Sequence, residues 1–315
     1  MRAKKILKVA GLTLGGLVAS LAVSSLVSYQ MGIRNSDSRK RRAVRDARDK
    51  DNTPDSYKWY TQLVKQTWFI RAEDGIHLAA TYLANENSDK TVILAHGYHH
   101  AHEQMIPYAK LFRDLGYNVL MPDARGHGIS DGNIVGFGWL DRRDYIKWIA
   151  EINSRSKTPQ KIVLFGISMG AATVLATAGE SDLPDNVKAV IEDSGFSSAQ
   201  KEFSYRLGHY YFMPPFLSTF VSLMTRLTGG YSLKEADIAH QAANITIPVL
   251  MIHGDADRYV PVEMMAEIKS ALAKQIPSES VEVPGVDHVG SQSNDPQKYQ
   301  QTIANFLKQW VETGK

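Results

Sequence analysis

The sequence predicts a doubly wound α/β fold: a mostly parallel sheet with helices on both faces, and a membrane helix ahead of it. Three observations lead there. From about residue 64, short apolar runs alternate with helix-compatible stretches, the rhythm of βαβ units. One such run, residues 162–165, passes into Gly166-Ile167-Ser168-Met169-Gly170 and then into small residues up to Ala178: a strand, a sharp turn and a helix. Finally, Val9 to Ile33 form 25 residues without a charge, enough as a helix to cross a hydrocarbon core of about 30 Å.

In chain order, Arg2, Lys4, Lys5 and Lys8 precede the uncharged run, and Arg34, Arg39, Lys40, Arg41, Arg42, Arg45 and Arg48 follow it. A cleaved export signal usually has a shorter apolar region of about 7–15 residues. A passable cleavage site, Ser20-Leu21-Ala22, lies inside the run, so an uncleaved single-pass anchor is expected over residues 1–33. Counting Lys and Arg alone would hold the C-terminal side in the cytoplasm. A short basic start before an apolar stretch instead resembles an export signal, and an extracytoplasmic catalytic domain is the expectation. Residues 34–63 read as a basic, polar linker suited to anionic lipid headgroups. The domain proper is expected at 64–315, and deletion of residues 1–50 is expected to leave it soluble and active.

The net charge of +3 hides an asymmetry: 12 Lys/Arg against 3 Asp/Glu in the first fifty residues, and 24 against 30 afterwards. A mildly acidic domain is a poor partner for nucleic acid. The chain has no cysteine, which excludes disulfides, thiolate catalysis and Cys-ligated zinc.

Residues 66–70 and 76–83 alternate around Asp74-Gly75 and read as an antiparallel hairpin at a sheet edge. The apolar runs 91–95, 118–121, 161–165, 189–191 and 249–252 suit strands buried on both faces of a parallel sheet. Stretches 103–115 and 139–152 supply crossover helices, and 280–283 a last strand. Ligands bind beyond the carboxyl ends of strands in such sheets. Those ends carry His96-Gly97-Tyr98-His99-His100, Asp123-Ala124-Arg125-Gly126-His127-Gly128, His253-Gly254-Asp255-Ala256-Asp257 and Asp287-His288.

Ser168 sits at the apex of the strand-turn-helix. A nucleophile there has a strained backbone, and glycine at 166 and 170 relieves the crowding where strand and helix nearly touch. The following helix N-terminus favours a developing oxyanion. A serine nucleophile needs a general base and a carboxylate to fix the base's tautomer. Asp257 lies 89 residues after Ser168, and His288 a further 31, in the chain order Ser, Asp, His.

These five ordered motifs, together with Val260-Pro261, resemble the α/β-hydrolase superfamily over about residues 68–310. Within it the chain resembles the bacterial membrane-tethered serine hydrolases of the serine-aminopeptidase and monoacylglycerol-lipase-like branch. The resemblance implies an α/β-hydrolase fold with Ser168 as nucleophile, Asp257 as acid and His288 as base. It also implies an oxyanion hole at the backbone N–H groups of Tyr98 and Met169, and a cap inserted at about 198–245.

Asp255 competes with Asp257 for the acid role, and Asp257 is preferred on its place near Val260-Pro261; Asp287 reads as a turn residue. His96, His99 and His100 suggest a metal cluster, but no carboxylate spacing accompanies them, and no metal or cofactor is expected. His127 reads as structural. In the cap, Tyr210, Tyr211, Phe212, Met213 and Phe216 are candidates to line an acyl pocket, the alternative being ordinary core packing. The function expected is hydrolysis of small to medium carboxylic esters through an acyl-enzyme on Ser168. A peptidase with the same triad, or a non-catalytic binding protein on this fold, are the alternatives.

Overall fold

The computed structural model describes residues 20, 23–35 and 55–313. Its centre is an eight-stranded sheet of β1 (Gln66–Arg71), β2 (His77–Leu83), β3 (Lys90–Ala95), β4 (Asn118–Pro122), β5 (Lys161–Ile167), β6 (Val187–Asp193), β7 (Val249–Gly254) and β8 (Ser278–Val283). The spatial order is β1-β2-β4-β3-β5-β6-β7-β8. The hairpin β1-β2 and the β2-β4 pair are antiparallel, and every later pair is parallel. The register runs from Lys90 opposite Lys161 to Ala95 opposite Gly166. The loop after β3 and the turn after β5 therefore emerge side by side.

Uninterrupted apolar strands follow from helices on both faces. Along β3, Val92 and Leu94 join a core cluster with Tyr108 and Phe112 of α3 (Ile106–Asp114) and Ile303 and Phe306 of α10 (Pro296–Leu307). Ile93 and Ala95 point the other way, to Trp148 and Ile149 of α4 (Asp141–Arg155) and Leu175 of α5 (Met169–Ala178). This is the period-2 alternation of a strand applied to a two-sided core. Between β6 and β7, where the cap was expected, stand α6 (Ala199–His209), α7 (Leu217–Gly229) and α8 (Ile238–Ala242). Helix α9 (Glu263–Ala271) links β7 to β8.

The N-terminal expectations need correction. Residues 23–32 form a helix, α1, and its buried positions Ser25, Ser28 and Tyr29, followed by Ile33, recur on one helical face against the domain. Tyr29 is 3% exposed and Ile33 0%. The Tyr29 hydroxyl meets Thr228 Oγ1 at 2.5 Å, Asn35 Nδ2 donates to the Gly126 carbonyl at 2.8 Å, and Val135 N donates to the Ile33 carbonyl at 2.8 Å. The physical reason is that uncharged is not the same as apolar: three serines, Tyr29 and Gln30 lie in this part of the run. Among the described residues no helix is long and apolar enough to cross a membrane. Residues 1–19, 21 and 22, the remainder of the expected anchor, lie outside the described residues. The expected linker is also shorter than 34–63. Residues 34 and 35 belong with the docked segment, and Asp55–Gln62 form α2, whose Tyr57 hydroxyl donates to the Glu103 carbonyl at 2.9 Å. Trp59 and Tyr60 of α2 pack on the core.

Candidate active site

The turn after β5 is as tight as its glycines predict. A Cβ on Gly166 would lie 2.2 Å from the Gly170 carbonyl oxygen, and one on Gly170 would lie 2.1 Å from that of Ala95. Ser168 between them has φ 54° and ψ −120°, a conformation that costs an L-residue on the order of 1–3 kcal/mol. Its N–H donates to the Asp193 carbonyl at 2.8 Å, pinning the apex to the end of β6. Ser168 is 7% exposed and lines a cavity.

Two strand-end loops bring the partners. Ser168 Oγ lies 2.9 Å from His288 Nε2, and His288 Nδ1 lies 2.6 Å from Asp257 Oδ2. An ionised Asp257 can only accept, so Nδ1 carries the proton and Nε2 is left to accept from the serine hydroxyl. The other oxygen of Asp257 accepts the N–H groups of Tyr259 and Val260, both at 2.8 Å. Burial works against the charged form of Asp257, but hydrogen bonds from His253 and His288 outweigh it and hold the carboxyl below its usual range. Asp255 is exposed and accepts from Gly285 N at 2.6 Å. Asp287 accepts from the N–H groups of Arg258 and His288, a turn residue as read. The loop carrying His288 is itself fastened, since Val289 N donates to Ser194 Oγ at 3.2 Å.

The expected oxyanion donors flank the nucleophile. Tyr98 and Met169 line the same cavity as Ser168. Met169 opens α5, so its N–H is among those with no intrahelical acceptor. A network not anticipated from sequence holds the Tyr98 loop. His102 contacts Asp123 Oδ1 through both its backbone N, at 2.8 Å, and its Nδ1, at 3.0 Å. Burial disfavours the Asp123 charge, yet the hydrogen bond and charge of His102 prevail and bring its pKa down to about 2. His96 accepts from Ala124 N at Nε2 (3.0 Å) and faces the Gly97 carbonyl through Nδ1 (2.8 Å). His127 likewise accepts from His99 N and faces the Arg125 carbonyl. Burial pushes the pKa of both rings down, so each serves as a neutral clamp between loops. His102, Glu103 and Asp123 come close enough to share an ion. The contacts of His102 and Asp123 with each other and with Ile129 N account for their burial without one.

The carboxyl loops are further braced by Arg125, whose guanidinium contacts Asp144 at 2.7 and 2.8 Å and Asp74 at 2.7 Å. Fully buried His253 lies behind the acid, its Nε2 donating to the Val260 carbonyl at 2.9 Å and lying 3.2 Å from Asp257. In the sequence His253 stands in a motif that does not reveal this role. Its place four residues before Asp257, at the end of β7, is the available signal.

The cavity beside Ser168 measures about 380 Å³. Of the five cap residues proposed to line it, Tyr211 and Met213 do. Tyr210, Phe212 and Phe216 do not: Phe212 is 90% exposed, Tyr210 donates to the Arg258 carbonyl at 2.9 Å, and Phe216 stacks edge-on against Phe220. Helix α6 ends at His209, before Pro214-Pro215, and Phe212 in the segment between them has φ 51°. The wall they were expected to supply comes instead from Phe196, Phe203 and Leu207 of the cap region and from Val27, Ser28, Met31 and Gly32 of α1. The Tyr98 hydroxyl donates to the Gly32 and Met31 carbonyls at 2.6 and 3.2 Å. Helix α1 thus ends on the loop that carries an expected oxyanion donor.

This fold and strand-end site define an α/β hydrolase. Residues 86–236 match the family described as serine aminopeptidase, S33. The uncharacterized protein YfhR of Escherichia coli is 30% identical over 268 residues, 82% of this chain and 84% of that protein. YqkD of Bacillus subtilis, also uncharacterized, is 28% identical over 261 residues, covering 82% and 85%. Among solved structures, the Pyrococcus furiosus esterase Pf2001 is 25% identical with a TM-score of 0.63, over 80% of this chain and 95% of that one. The chain belongs to the α/β-hydrolase superfamily, in the serine-aminopeptidase-like branch.

Proposed function

We propose that the protein is a serine esterase that cleaves small to medium carboxylic esters through an acyl-enzyme on Ser168. The observation that carries this reading is the unbroken line from Ser168 Oγ through His288 to Asp257, at 2.9 and 2.6 Å. His288 takes the serine proton as Oγ attacks the ester carbonyl and returns it to the leaving alcohol, while Asp257 stabilises the imidazolium. The Tyr98 and Met169 N–H groups receive the oxyanion, each such donor contributing on the order of 3 kcal/mol. Water activated by His288 then releases the acid. A cavity of about 380 Å³ lies at the small end of ligand pockets, which favours short acyl chains, as does the likeness to an esterase. A series of p-nitrophenyl esters of increasing chain length tests this, with an optimum expected at short to medium chains and a falling rate beyond them.

The S33 match favours one second reading, an aminopeptidase using the same triad. Hydrolysis of aminoacyl p-nitroanilides at rates matching the best ester would select it.

The proposed location is a membrane, with the catalytic domain outside the cytoplasm. Its support is the uncharged run from Val9 to Ile33 with its basic flanks and the exposed row Phe216, Phe220, Leu223 and Leu227 on the cap. Membrane sedimentation that survives a high-salt wash is the expected result, and release of the intact chain by salt contradicts an anchor.

A further inference from the structure

Glu202 lies on the first turn of α6 and lines the same cavity as Ser168. It is 4% exposed, and neither carboxyl oxygen has a hydrogen-bond partner among the described residues. Burying an unpartnered carboxyl is unfavourable, and cores do not retain one without a use. No hydrogen bond from a cation satisfies it among the described residues. Arg206, one turn further along α6, lies over the Tyr259 ring at 3.5 Å, and no ion pair joins it to Glu202 among the described residues.

Resting on the serine-esterase reading above, we propose that Glu202 is the polar recognition group of the substrate pocket, hydrogen-bonding a hydroxyl that the substrate carries away from its ester bond. The surrounding wall of Phe196, Phe203 and Leu207 accepts alkyl groups but offers nothing to a buried hydroxyl. A carboxylic acid supplies both a donor and an acceptor, which a hydroxyl matches atom for atom. Four influences set its protonation. Burial raises the pKa and dominates, the Arg206 charge lowers it, Asp257 raises it and His253 lowers it, for a result of about 8. The group is therefore neutral at pH 7 and loses its donor as the pH rises through that value.

The test measures kcat/KM for p-nitrophenyl hexanoate, 6-hydroxyhexanoate and 6-aminohexanoate, and for hexyl and 6-hydroxyhexyl butyrate by titration of the released acid. Wild type is expected to favour the hydroxylated member of one series by about tenfold or more, with the preference fading above pH 8. Glu202→Gln, which keeps an uncharged donor and acceptor, should retain the preference and lose its pH dependence; Glu202→Leu should bring the ratio to about one. A wild-type ratio near one in both series overturns the proposal, and so does an undiminished ratio in Glu202→Leu. A preference for the aminohexanoate that Glu202→Gln abolishes also overturns it, making Glu202 an ammonium site. Fluorophosphonate labelling separates the two levels of failure. A wild type that is not labelled at Ser168 fails the esterase reading itself, whereas a labelled enzyme without hydroxyl preference fails only the role of Glu202. If neither variant folds, the wild-type ratio and its pH profile still decide.

Discussion

Replacing Asp257 with asparagine changes one atom and, on this geometry, inverts the tautomer of the base. The carboxylate now accepts from Tyr259 N and Val260 N on one oxygen and faces His288 Nδ1 on the other. The amide oxygen of asparagine must take the two N–H groups, because the NH2 cannot accept them. That leaves the NH2 against His288 Nδ1 and beside His253 Nε2, which lies 3.2 Å from the same carboxyl oxygen. His288 must then accept at Nδ1 and carry its proton on Nε2, facing Ser168 Oγ, where it cannot act as base. The loss expected of such a switch is about 10⁴-fold in kcat, or roughly 5 kcal/mol at 1.36 kcal/mol per tenfold. The assay is p-nitrophenyl ester turnover at pH 7.5, with the melting temperature as a control for folding. Asp255→Asn, whose side chain holds only Gly285 N at the surface, should cost less than about threefold. A loss under tenfold for Asp257→Asn, or a larger loss for Asp255→Asn, would refute the tautomer argument.

Tyr98→Phe removes the hydroxyl that binds the Met31 and Gly32 carbonyls. It should lower kcat more than it raises KM, and an effect confined to KM would mean that α1 does not hold the oxyanion loop. Deleting residues 1–22 should leave activity intact, whereas deleting 1–35 strips the pocket wall and the contacts of Tyr29 and Ile33; equal activity of the two truncations would contradict the docked helix. Arg125→Met leaves buried Asp144 without its partner and should cost about 3–5 kcal/mol in denaturant unfolding. Burial raises the Glu202 pKa to about 8, so the folded state holds a proton there that the unfolded chain releases above about pH 4.3. The stability this group contributes is present at acid pH and lost as the pH rises towards 8. Glu202→Gln should accordingly melt at a higher temperature than wild type at pH 9 and show little difference at pH 4.

The β-strands and the catalytic loops were legible because their signals are local. Gly166 and Gly170 have no room for a side chain, and apolar runs mark strands covered on both faces. What sequence reasoning missed depends on contacts between distant residues. The uncharged run from Val9 to Ile33 matched a membrane span in length and charge, and only the packing of Tyr29 against Thr228 and of Ile33 under Val135 shows its C-terminal part joined to the domain. The aromatic cluster at 210–216 looked like a pocket wall because aromatic residues favour pockets. Phe212 and Phe216 instead stand at the surface, beyond the end of α6 at His209. Glu202 gave no signal at all: in sequence it is one carboxylate in the first turn of a helix, a common and favourable place for one.

Every catalytic role proposed above depends on Ser168 being the nucleophile. Treating the full-length protein and its Ser168→Ala variant with a fluorophosphonate and locating the adduct by peptide mass spectrometry tests it most directly. A single stoichiometric adduct on Ser168 is expected, with neither adduct nor ester hydrolysis in the variant at an unchanged melting temperature. An adduct on another residue, or labelling that persists undiminished in Ser168→Ala, would contradict it.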